Sequence, residues 1–221
     1  MKITELVLQT NKLAELFHFY SNVLELKVEA RGDDRIELYT PGTKVSFIKS
    51  AEEANPFYHF AFNIPSNKIA EAYEWLRNKV SLLWIDDYHS YIADFVNWHA
   101  KSIYFLDPGG NIVELIARFD LNDDADEKFS AELFRNVSEI GLVFPVDRFD
   151  ESVENLMQQY QLAYFDKQPP LPQFRAIGND DALFIVVPED RFWFPTKNLT
   201  SQLFPMQVTL IHHDAVHELQ L

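Results

Sequence analysis

The chain has 221 residues, 47% of them apolar and 14% aromatic, enough to bury one large core or two small ones. A formal charge of −15 argues against nucleic acid and anionic membranes as partners, since both would repel it. The absence of cysteine excludes disulfides, thiolate zinc sites and cysteine nucleophiles.

The opening MKITELVLQT lacks a signal-peptide pattern, and no apolar run is long enough to span a bilayer, so a cytoplasmic protein is expected. Ile3 to Leu8 reads as a strand. Leu13, Leu16, Phe17, Tyr20 and Leu24 then recur at helical spacing. Strands follow at 26–29, 35–40 and 44–49, so the unit is β-α-β-β-β.

A second unit begins at Tyr58 to Ile64. Its helix, 69–80, carries Ile69, Tyr73, Leu76 and Val80 on one face. A strand at 82–85 comes next, then a hairpin from Lys101 to Arg118. The Asp/Asn-rich stretch 120–128 reads as part of a linker, 121–132. Val137-Ser138-Glu139-Ile140-Gly141-Leu142 is a near copy of Ile3 to Leu8 and opens a third unit. It continues through the helical pattern Phe149, Val153, Leu156, Met157 and Tyr160 to strands at 162–165, 174–178 and 183–187. A fourth unit starts at Met206 to Ile211 and stops short. The expected organisation is therefore a complete pair of units in 1–120, the linker, and a truncated domain in 133–221. The fold class is α+β, with repeated βαβββ units forming cupped mixed sheets, since one unit leaves a sheet face in need of cover.

The hairpin is the most informative segment. Asp107-Pro108-Gly109-Gly110-Asn111 stacks turn residues between two strands. Glu114 then sits among aliphatic neighbours, where a carboxylate is costly to bury unless something pairs it. With Leu106 facing Ile112 across the turn, Tyr104 faces Glu114 on the same side of the sheet. The two are either half of a metal site or a lone hydrogen-bonded pair.

This segment resembles the closing hairpin of the vicinal oxygen chelate superfamily, which includes glyoxalase I, bleomycin-resistance proteins and extradiol dioxygenases. There an Asp-Pro-x-Gly-Asn turn precedes a strand whose Glu binds metal. The spacing Tyr104-x-x-Asp107-Pro108-x-Gly110-Asn111-x-x-Glu114 is most similar to the extradiol branch, which gives the Tyr a part in positioning substrate or oxygen. Alternation turns Glu5, Ser46, His59 and Glu114 toward the cup, and the resemblance makes these the ligand positions.

Glu5, His59 and Glu114 would suit a divalent ion such as Fe, Mn, Ni or Zn, with Ser46 a poor fourth ligand. The pattern departs from the extradiol one in two places. Glu5 stands where a His belongs, and Phe95-Val96-Asn97 lacks the catalytic His, with His99 in a different register. In the third unit Glu139 matches Glu5, while Phe184 takes the Ser46 position and Gln207 the His59 position. That half reads as structural or as a ligand-specific wall, its Arg191-Phe192-Trp193-Phe194-Pro195 segment a cover for the cup or a subunit contact. No phosphate loop or Gly-x-Ser-x-Gly elbow occurs. The resemblance implies a metal-dependent enzyme, ring-cleaving or glyoxalase-like, acting on a small molecule that chelates through vicinal oxygens. The alternative is a metal-free binding protein of the bleomycin-resistance type. A homodimer could complete the truncated half.

Overall fold

The computed structural model describes residues 1–51 and 55–221. Among the described residues thirteen strands form two mixed sheets, with three α-helices. The first unit supplies β1 (Lys2–Thr10), α1 (Leu13–His18), β2 (Lys27–Ala30), β3 (Arg35–Tyr39) and β4 (Lys44–Lys49). The second supplies β5 (His59–Ile64), α2 (Ile69–Leu76), β6 (Ile92–Phe95), β7 (Ala100–Leu106) and β8 (Ile112–Arg118). The third supplies β9 (Val137–Phe144), α3 (Phe149–Tyr160), β10 (Arg175–Asn179) and β11 (Ala182–Pro188). A final hairpin, β12 (Met206–His212) and β13 (Ala215–Gln220), stands for the fourth.

The units pair differently from the sequence-based expectation. The six-stranded sheet runs β13-β12-β1-β4-β3-β2, so the first unit is joined to the last hairpin. The seven-stranded sheet runs β10-β11-β9-β5-β8-β7-β6, joining the second unit to the third. The first two units therefore share no sheet. Their likeness in sequence made any pair plausible, and strand order is a long-range property that local patterns do not carry.

Alternation explains the layers. Leu6 and Leu8 of β1, Phe47 of β4, Phe60 and Phe62 of β5, Val113 and Leu115 of β8 and Phe184 of β11 are fully buried in one core. Phe47 and Phe60 bring the two sheets together, with ring centroids 6.3 Å apart. Helix α3 adds Phe149, Val153 and Leu156, one apolar face at i, i+4 and i+7, and ends at Gln161 in the left-handed conformation. The opposite, partly polar faces of the sheets point away from this core.

Smaller differences are local. Helix α2 ends at Leu76 rather than continuing to Val80. The expected strands at 82–85 and 162–165 are single bridges, Leu82 to Phe105, Ile85 to Ser90 and Tyr164 to Ile177. Strand β6 has no counterpart in the sequence reading. Among the described residues no helix is long and apolar enough to cross a membrane.

Candidate metal centre

The turn at 107–111 builds the first half of the site. Gly110 takes φ +86°, a conformation open to glycine. Asp107 accepts hydrogen bonds from the Asn111 backbone N–H (3.0 Å), the Asn111 amide (2.8 Å) and the Tyr20 hydroxyl (2.7 Å). The Asn111 side-chain Oδ1 in turn accepts the backbone N–H of Tyr58 at 2.8 Å. The turn thus ties the start of β5 to the start of β8, with His59 opposite Ile112. His59 Nδ1 lies 3.1 Å from the Ile112 carbonyl, which can only accept, so Nδ1 carries the proton and Nε2 is left to face the carboxylates.

Ala61 lies at the centre. On β8 it pairs with Glu114, and on β9 with Glu139. All three side chains share one sheet face, and the small methyl group leaves room for the carboxylates to converge above it. His59 Nε2 is 3.6 Å from Glu114 Oε2 and 3.9 Å from Glu139 Oε2. One ligand atom from each of the three residues lies within 4.8 Å of the others. All three side chains are at least nine-tenths buried.

Arg118 completes the constellation. It lies four residues beyond Glu114 on the same face of β8, fully buried. Its guanidinium is hydrogen-bonded to Glu139 Oε1 and to Ser138 Oγ, the latter at 3.0 Å, and lies over the ring of Trp98. One oxygen of Glu139 is therefore held and the other is free to face His59. Glu114 Oε1 has no hydrogen-bond partner although it is buried. Such an orphaned acceptor costs free energy unless a cation or donor meets it. An imidazole and two carboxylates, each offering one atom, suit a divalent ion of borderline character.

The electrostatics follow from crowding. Burial and the charge of Glu139 push the Glu114 carboxyl up to about 7. Burial alone would lower the His59 pKa, but the carboxylates of Glu139 and Glu114 beside it raise it. Burial, then the glutamates, hold the Tyr104 phenol well above its usual range. Burial raises Asp107 to about 6.

Glu114, His59 and Asp107 all bind protons more tightly in the folded state. A carboxyl raised in this way stabilises the fold as pH falls through its folded pKa toward its unfolded value. A raised imidazole stabilises it below 6.5 and loses that contribution as pH rises through the folded pKa. The signs agree, so the metal-free protein is expected to gain stability from pH 8 to pH 5.5, by up to about 1.4 kcal/mol per pH unit for each proton taken up. Urea midpoints in chelator at several pH values measure this. Stability that falls steadily over that window contradicts the assignment.

The site opens into a cavity of about 260 Å³ whose walls include Phe95, Trp98, Tyr104, Phe174, Trp193 and Phe194. Trp193 rests on Gly141 of β9, where an added Cβ would lie 2.5 Å from the indole. A glycine is therefore needed two residues beyond Glu139 on the same face. Trp98 Nε1 donates to Gln168 at 3.1 Å, which fixes the indole in the wall.

The structure brings together three of the residues marked by the sequence, His59, Glu114 and Tyr104. It does not bring Glu5 to them. Glu5 lies in the other sheet, paired with Lys44 at 2.8 Å and Arg35 at 3.4 Å, and Ser46 accepts from Arg35 at 2.8 Å. That face has its own counter-ions and no need of a metal. The carboxylate beside His59 and Glu114 is Glu139, from the unit read as structural, because β5 pairs with β9 and not with the first unit. The position matching Ser46 is Ile185, which pairs with Gly141 and lines the cavity. Phe184, one residue earlier, faces the core. Gln207 lies on β12 opposite Val7, in the other sheet. His99 is exposed and bound to Asp120 at 2.7 Å, away from Tyr104.

Arg118 had no part in the sequence reading, although its even spacing from Glu114 marks the same face. The segment 191–195 contributes cavity wall.

No family model matches the sequence, and no curated protein matches it. Among solved structures, a putative dioxygenase from Bacillus subtilis aligns over 85% of this chain at a TM-score of 0.60 and 15% identity. The chain spans 63% of that protein's length. A glyoxalase/bleomycin resistance protein/dioxygenase from Nocardioides aligns over 58% of this chain and 87% of its own, at 25% identity and a TM-score of 0.42. A lactoylglutathione lyase from Agrobacterium tumefaciens aligns over 52% and 91%, at 21% identity and a TM-score of 0.40. The likeness is one of architecture: the chain shares its fold with the Bacillus subtilis protein.

Proposed function

We propose that the protein is a metal-dependent enzyme acting on a small molecule that chelates through vicinal oxygens. The observation that carries this reading is the convergence of His59, Glu114 and Glu139, one atom each, on the wall of an aromatic cavity. Glu5, an expected ligand, is replaced in this reading by Glu139.

A divalent ion held by these three would supply Lewis acidity and open coordination positions for two substrate oxygens. The chain's own groups do the rest. His59 presents Nε2 because Ile112 holds Nδ1. Arg118 holds Glu139 in place through a hydrogen bond to Oε1. Glu114 offers its unpartnered oxygen to the ion. Tyr104, neutral and adjacent to Glu114, can donate a hydrogen bond to a bound oxygen. The aromatic walls stack on a flat substrate and exclude water.

A second reading, a metal-free binding protein, draws on the absence of any imidazole other than His59 among the cavity-lining residues. The test separates the two. Protein purified without chelators is desalted and its metal measured, then catechol binding is followed by calorimetry with and without Mn²⁺ or Zn²⁺. The enzyme reading expects one retained or added ion per chain and catechol binding that depends on it. Equal catechol binding with and without metal favours the binding protein.

A further inference from the structure

Arg191 is a cation without a carboxylate. In a chain of charge −15, it forms no ion pair with any acidic side chain among the described residues. Its guanidinium donates to the Phe192 carbonyl at 3.3 Å. The guanidinium lies over the face of Phe174, 5.5 Å from the ring centre, and lines the same cavity as His59, Glu114 and Glu139. Burial lowers its pKa, the direction expected for a charge that has lost water and gained no counter-ion.

A chain of ring contacts links it to the candidate metal ligands along the cavity wall. From His59 the wall runs to Tyr104 (6.4 Å), Phe194 (5.4 Å), Phe95 (5.8 Å), Trp98 (5.9 Å) and Phe174 (6.3 Å), each step measured between ring centres, and Arg191 covers the last ring. The cavity lining thus carries two charged groups set among aromatic rings. One is the carboxylate–imidazole cluster, the other a guanidinium. Its volume, about 260 Å³, suits a molecule of one or two rings.

We propose that the cavity takes an aromatic carboxylate, with the vicinal oxygens at the His59 end and the carboxylate paired with Arg191. This rests on the reading of the cavity as the substrate site and adds the substrate's charge. The pairing suits Arg because its planar fork meets a carboxylate through two parallel N–H bonds. Arg191 is then the residue that distinguishes an acid from its neutral counterpart.

The test uses the whole protein, metal-free and zinc-loaded, with 3,4-dihydroxybenzoate and 3,4-dihydroxybenzamide as probes, followed by calorimetry. The two share shape and vicinal oxygens and differ in charge. The unmodified protein is expected to bind the carboxylate about tenfold more tightly than the amide, the size of a charge-assisted hydrogen bond. Arg191→Gln is expected to remove the preference by weakening the acid alone, while amide binding stays as the control for a folded cavity. Arg191→Lys is expected to keep part of it. Equal affinity for both probes, a preference that survives Arg191→Gln, or binding of neither probe overturns the proposal. Failure of the metal reading looks different. Zinc would then tighten neither probe, while the Arg191-dependent preference persists in the metal-free protein.

Discussion

Glu114→Gln is expected to lower affinity for a divalent ion at least about 100-fold, because loss of a ligand should cost no less than loss of an outer partner. The same substitution is expected to raise the stability of the metal-free protein at pH 8. Glu114 is buried with one oxygen unpartnered, and Glu139 repels it. A neutral amide of the same shape removes that repulsion and part of the desolvation cost. Lost binding with gained stability marks a functional group held at the expense of the fold. His59→Ala is expected to lose the ion as well. Metal titration by calorimetry and urea unfolding at pH 8 measure the two effects. An unchanged metal affinity in Glu114→Gln removes it from the ligand set. A large loss of stability would mean that Glu114 serves the fold and that its apparent orphan oxygen has a partner.

The largest effect on stability is expected at Arg118. It is fully buried, bonded to Glu139 and Ser138, and packed against the rings of Trp98 and Phe165. Arg118→Leu leaves Glu139 buried beside Glu114 with no counter-ion on its outer oxygen. Breaking a buried pair from one side costs about 3–5 kcal/mol. The loss should be greatest at alkaline pH and shrink as protons become available to the glutamates. Adding Glu139→Gln should return a good part of the stability, since the stranded charge is then gone. A double-mutant cycle in urea measures the coupling. Additive effects would show that the guanidinium matters only for its packing against the rings.

Much of the architecture was legible. Hydrophobic periodicity marked the helices, alternation assigned the faces of β1, β5 and β8, and the Asp107–Asn111 turn identified the hairpin and the Tyr104–Glu114 pair. The limit lay in strand pairing. Glu5 and Glu139 occupy the same place in repeated segments, and each repeat reads alike on its own. The partner of β5 is chosen by contacts between residues some eighty positions apart, which local pattern does not encode. For the same reason Phe184 was assigned one residue away from Ile185: the register of β11 follows from β9. Arg191 and Trp193 lie in an irregular segment, where alternation gives no face.

The junction of β5 with β9 is short. It pairs Phe60 with Ile140, Ala61 with Glu139 and Phe62 with Val137, with an irregularity between the last two. Two of the candidate ligands belong to one side of this seam and the third to the other. A slip of one residue would turn Glu139 toward the core and bring Ile140 or Ser138 to the cup face. An ion bound across the seam would act as a latch on strand register. It would penalise every misaligned docking of the two halves and slow their separation, so that assembly of the chain and assembly of its chemistry become one event.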